Sequence, residues 1–94
     1  MNDYIINSII LFIKSKHKYK DKNELINIVE EYIEWLNYSK SRFNKVNYQD
    51  YLDMFQKYQA EILLENFDEG LNILDDYQIM FNMRRNDAEE VTNE

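Results

Sequence analysis

Proline is absent from this chain, and glycine occurs once, at Gly70. A small β protein needs a turn signal about every 8–12 residues, and proline and glycine are the strongest of those signals. Their near-absence from 94 residues leaves long uninterrupted segments. The expected fold is therefore all-α: a small bundle of three to four helices with a disordered acidic C-terminal tail. The length allows one domain. Residues 1–86 read as a single helical domain and 87–94 as the tail, which has only Val91 to bury. An apolar fraction of 45% is too high for a disordered chain.

Periodicity places the helices. Ile5, Ile9, Phe12 and Ile13 recur at helical spacing within about Tyr4–Ser15. Ile6 and Ile10 widen this stripe, and Tyr4 and Leu11 lie almost opposite. Such a segment is apolar most of the way round, as buried helices are. Periodicity alone leaves a short buried strand at Ile9–Ile13 open as an alternative. A second helix over about Asn23–Asn37 starts from Asp21 as N-cap, with Glu24 as its capping-box partner. Leu25, Ile28, Val29, Tyr32 and Leu36 form its core stripe; Asn27, Glu30, Glu31 and Glu34 form its water face.

Ser39–Val46 reads as a loop, with a third helix capped by Asn47. Its face is Tyr48, Tyr51, Leu52, Phe55, Tyr58, Ile62 and Leu63. Near residue 64 the apolar line moves round the helix to Ala60, Leu64, Phe67, Leu71, Leu74, Gln78 and Phe81. One continuous helix with two packing faces would explain this change. A break, with the third helix ending near Phe67 and a fourth covering about Leu71–Arg84, explains it too, and the break is the expectation. Gly70 falls within the changeover.

Chemistry-bearing patterns are scarce. Without cysteine there is no disulfide, thiolate nucleophile or thiolate metal site. His17 is the only histidine, so zinc lacks its usual ligands, and no Glu-x-x-His motif exists for a di-iron bundle. Aligning Gly70 with the EF-hand glycine puts Phe67 at a ligand position, where it cannot coordinate calcium. No metal or cofactor is expected. His17 lies among lysines and reads as an exposed, titrating side chain. Asp50/Asp53, Glu30/Glu34 and Glu61/Glu65 share helical faces, but these are water faces where carboxylates keep ordinary pKa values. No catalytic residue is assigned, and the chain is not expected to be an enzyme.

Charge is more informative. The whole chain carries −7, yet residues 1–47 carry +2 and residues 48–94 carry −9. The acidic half suits a protein partner with a basic surface. Glu61, Glu65, Asp68, Glu69, Asp75 and Asp76 would imitate a phosphate track, as a nucleic-acid mimic does. Lys14–Lys22, with five lysines in nine residues, is the one segment suited to touching nucleic acid, but the net charge repels it. Fourteen aromatic residues exceed what so small a core hides. Trp35, Tyr38, Phe43, Met54, Met80 and Met83 lie off the main stripes, and exposed Trp and Tyr are typical interface anchors.

These features suggest a binding protein: an inhibitor, immunity protein or antagonist that occludes its partner. A nucleic-acid-associated regulator and a self-associating assembly subunit are the alternatives. The abundance of Ile, Asn, Lys and Tyr fits an AT-rich genome, such as that of a low-GC bacterium or its phage. The absence of cysteine fits a reducing compartment, so the cytoplasm is the expected location, the host's if the gene is a phage's. The longest apolar run, Ile9–Ile13, is far short of the ~20 residues of a membrane span, and no signal peptide is evident. A homodimer is expected, because covering Tyr4 and Leu11 on the back of the first helix requires a second copy.

Overall fold

The computed structural model describes the backbone of residues 2–93 and the side chains of residues 4–84. Four helices follow one another: α1 (Asn2–His17), α2 (Lys22–Tyr38), α3 (Lys45–Leu63) and α4 (Phe67–Asn93), with a 3-10 turn at Lys40–Arg42 before α3. Each helix packs on its neighbours in sequence, and α1 also packs on α4, which closes the ring. The strand alternative at Ile9–Ile13 is not realised: those residues are helical.

The helix starts follow local chemistry. Asp21 accepts a hydrogen bond from the Glu24 amide at 3.2 Å, as its sequence position predicts. At α3 the cap is Asn44, three residues earlier than the sequence suggests. Its side chain accepts from the amide of Asn47, the residue expected to do the capping, at 2.8 Å. Both positions are Asn, so residue type alone could not separate them.

The break between α3 and α4 is real but lies earlier than expected. α3 ends at Leu63 and α4 begins at Phe67. The amides of Glu65 and Asn66 reach back to the carbonyls of Ile62 and Glu61, both at 2.9 Å. This is a Schellman turn, with Glu65 in the left-handed conformation that glycine usually supplies (φ 59°). Gly70 is not at the turn. It lies one turn into α4, where an added Cβ would stand 3.0 Å from Ile62 Cδ1 and 3.2 Å from Tyr58 Cε1. Its missing side chain lets α4 approach α3.

The core joins Ile6, Ile9, Ile10 and Ile13 of α1, Leu25, Val29 and Leu36 of α2, Tyr51, Met54, Phe55, Tyr58 and Ile62 of α3, and Leu74 and Phe81 of α4. Met54, read as lying off the stripes, is fully buried. Leu63 and Leu64, read as core, are exposed at the α3–α4 turn. The backbone of α4 is helical to Asn93, past the expected helix end near Arg84; the side chains of the segment expected as a tail, 87–94, lie outside the described residues.

Candidate functional site

His17 is the largest departure from the sequence reading. It is buried (5% exposed) rather than a free loop side chain. Its Nδ1 lies 2.7 Å from the Tyr58 hydroxyl, and its ring meets Phe67 edge-on at 5.9 Å. Burial pushes its pKa below the ordinary value of 6.5, while a hydrogen bond with the Phe67 backbone pulls the other way. Burial likewise raises the pKa of Tyr58. The pair ties the end of α1 to α3 and α4. Among the described residues, no three His, Cys, Asp or Glu side chains cluster as metal ligands.

The acidic residues do not form one track. Glu65, Asp68 and Glu69 are exposed around the α3–α4 turn, and Glu61 is half-buried, accepting from Asn66 Nδ2 at 3.1 Å. Asp75 is turned toward α1 and pairs with Lys14, while Asp76 stays exposed on the outer side of α4. The lysine run is neutralised in the same region. Lys14 takes Asp75 and Gln78, Lys16 lies 3.8 Å from Glu24, and Lys20 lines a hollow with Glu65, Asp68 and Glu69. The opposite charges of the two sequence halves therefore meet at one end of the bundle. Of the carboxylates read as shared helical faces, Asp50 engages Arg84, Asp53 Gln49 and Glu30 Gln59, while Glu34 and Glu65 stand exposed.

The open seam of the bundle runs between α1 and α2. Ile6, Ile10, Ile13 and His17 point into the core, which leaves Ile5, Ile9 and Phe12 along the edge facing α2. They meet Ile28, Tyr32 and Trp35, recurring at i, i+4 and i+7 on α2. Together with Glu31 these residues line a groove of about 480 Å³. Tyr32 stacks on Phe55 at 6.0 Å and meets Phe12 edge-on at 6.4 Å; Trp35 meets Phe43 at 5.7 Å. The rings are therefore fixed from below and open above. Ile5 is 50% and Phe12 42% exposed. Glu31 stands exposed on the α2 rim, and its charge adds to burial in raising the Tyr32 pKa; Glu34 is exposed on α2 outside the groove lining. Lys16 lies over the Phe12 ring at 5.9 Å and marks the far end of the groove.

Tyr4 and Leu11 are exposed on the outer side of α1, as their spacing predicts. Asn7–Asn82 and Lys14–Gln78 hydrogen bonds tie α1 to α4 on either side of Leu11. Ile79, also exposed, falls within the same interval on α4. Of the interface anchors read from sequence, Trp35 joins the groove, Phe43 packs beneath its ring, and Tyr38 stands almost wholly in solvent. Met80 and Met83 are exposed on α4. Sequence reasoning missed the groove because its floor is shared by two helices that single-helix periodicity treats separately. No helix among the described residues is long and apolar enough to cross a membrane. Comparison with protein families, with curated proteins and with solved structures finds no match.

Proposed function

We propose that this is a non-catalytic binding protein that occludes a basic surface of a partner protein, with the α1–α2 groove as its contact. The observation that carries the proposal is an apolar floor of fixed rings with an acid on its rim: Phe12, Tyr32 and Trp35 next to Glu31, with Glu34 exposed on the same helix. This combination suits a cationic amphipathic helix, whose apolar face enters the groove while its lysines or arginines meet the rim. Covering Ile5 and Phe12, each about half exposed, contributes roughly 1 kcal/mol apiece. The negative charge of the whole chain speeds the encounter without adding much affinity. A protein acting this way is an inhibitor, immunity protein or antagonist. The engagement of the single histidine in the core supports a role without catalysis.

The test is titration with a designed helix of about 14 Leu and Lys residues, followed by the emission of Trp35. Binding should saturate, weaken with salt, and weaken about tenfold or more in a Glu31→Lys/Glu34→Lys variant; a Leu/Glu helix should not bind. Equal binding of both peptides, or insensitivity to the rim change, would remove the groove from the proposal. A second reading is self-association through the outer side of α1. It is favoured by the exposure of Tyr4 and Leu11 beside α4.

A further inference from the structure

The end of the bundle opposite the α3–α4 turn carries a different charge pattern. Two hollows of about 600 and 500 Å³ flank the Lys40–Arg42 turn and share Tyr38 and Ser41. Tyr38 stands between them, 93% exposed. Lys40 and Lys45 line the first hollow and Arg42 the second. From Trp35 to Gln49 the chain has these three bases and no acid. Among the described residues none of the three makes an ion pair; Lys40 instead lies over the Tyr48 ring at 5.0 Å. The Tyr48 hydroxyl donates to Asn37 Oδ1 at 2.5 Å, which fixes that ring against α2.

Like charges held together without counterions repel one another, and an anion relieves that repulsion. The net charge of −7 does not prevent this. The acids of the α3–α4 turn lie the length of α3 away, 19 residues or about 28 Å. Screening at physiological salt acts within ~8 Å. Of the nearer acids whose side chains are described, Asp50 is engaged with Arg84 at 2.7 Å, Asp53 accepts from Gln49, and Glu34, one turn before Tyr38, offsets one cation of the three; Asp87, Glu89 and Glu90 on the last turns of α4 lie outside the described side chains.

A fully exposed ring between two cationic hollows matches single-stranded nucleic acid, in which planar bases alternate with phosphates. An acidic peptide would satisfy the cations but leave Tyr38 unused. We propose that this end of the bundle binds single-stranded nucleic acid, with a base stacked on Tyr38 and flanking phosphates held by Lys40, Arg42 and Lys45. The second hollow shares Trp35 with the groove, but the site takes a ligand of opposite charge.

The test uses the full chain and the fluorescence of Trp35, which lines the second hollow. An oligothymidylate of about a dozen nucleotides should bind roughly 20-fold more weakly at ~200 mM than at ~50 mM salt, the slope for three phosphate contacts on a single strand. Tyr38→Ala should weaken binding by about 5-fold to 100-fold, the range for losing one stacked base. Lys40→Gln/Arg42→Gln/Lys45→Gln should abolish the salt dependence. Lys18→Gln/Lys20→Gln, which changes exposed lysines at the other end, should leave affinity unchanged. Thymidine monophosphate should bind far more weakly than the oligomer; equal affinity per site would mark a mononucleotide pocket and overturn the strand-binding reading. Absence of oligomer binding at ~50 mM salt would overturn the proposal. So would loss of binding in the Lys18/Lys20 variant, or binding of polyglutamate as tight as that of the oligomer and indifferent to Tyr38→Ala.

Discussion

The α3–α4 seam and the α1–α2 seam are built from similar residues yet end differently. At α3–α4, Gly70 lets the helices approach until Ile62 and Tyr58 fill the gap, and Tyr51 meets Phe81 at 5.1 Å with both rings fully buried. At α1–α2 the groove between the helices is lined mainly by Ile5, Ile9, Phe12, Ile28, Tyr32 and Trp35, no glycine brings the backbones together, and Ile5 and Phe12 remain half in water. The same apolar chemistry closes one seam and leaves the other open. Backbone approach decides which, and the open seam is the one the proposed function assigns to a partner.

The sharpest way to break this contrast is to truncate one phenylalanine in each seam. Phe81→Ala removes a fully buried ring and should cost about 3–5 kcal/mol in urea unfolding. Phe12→Ala removes a half-exposed one and should cost about 1 kcal/mol. Comparable losses would mean that the α1–α2 seam is as closed as its counterpart. Gly70→Val comes next. Its methyl groups would enter space held by Ile62 and Tyr58, and overpacking of this kind costs about 1–3 kcal/mol. A neutral result would show that the helices separate freely there.

A smaller effect is expected at His17, and it depends on pH. Its folded pKa is lowered, chiefly by burial. The unfolded chain therefore binds the extra proton first, and stability declines as pH falls below about 6.5. Above that value the contribution is complete. Since His17 is the only histidine, His17→Gln should flatten the stability profile just below about pH 6.5. It should also cost about 1–2 kcal/mol at neutral pH, because the buried Tyr58 hydroxyl loses its partner. An unchanged profile would place the imidazole in solvent. Smallest of all is Leu11→Glu, on an exposed side of α1, which should move stability by under about 0.5 kcal/mol. If light scattering finds a dimer, this change should dissociate it with helix content intact; unfolding would put Leu11 in the core.

What the sequence made legible was local. The cap at Asp21 and the α2 core residues Leu25, Val29 and Leu36 depend on neighbours within a few positions, and all are where periodicity and capping place them. His17 was misread because its partner Tyr58 is 41 residues away. Gly70 could be placed only within the changeover of the apolar lines, because its reason, the approach of Ile62 and Tyr58, exists only after folding. The charge reading failed in the same way. Lys14–Lys22 stands out as a run, but folding sets acids beside it. Lys40, Arg42 and Lys45 form no run, yet stay free of ion pairs among the described residues. The acidic track was read along one line of residues, whereas the chain turns at Glu65 and divides it.

The most direct test of the open seam is a residue-by-residue map of amide chemical shifts on adding the Leu/Lys helix. The account predicts perturbations along Ile5–Phe12 and Ile28–Trp35, with Ile62, Gly70 and Leu74 unmoved. Shifts concentrated instead at Glu61–Asp76 would contradict it, and would return the contact to the carboxylates of the α3–α4 turn.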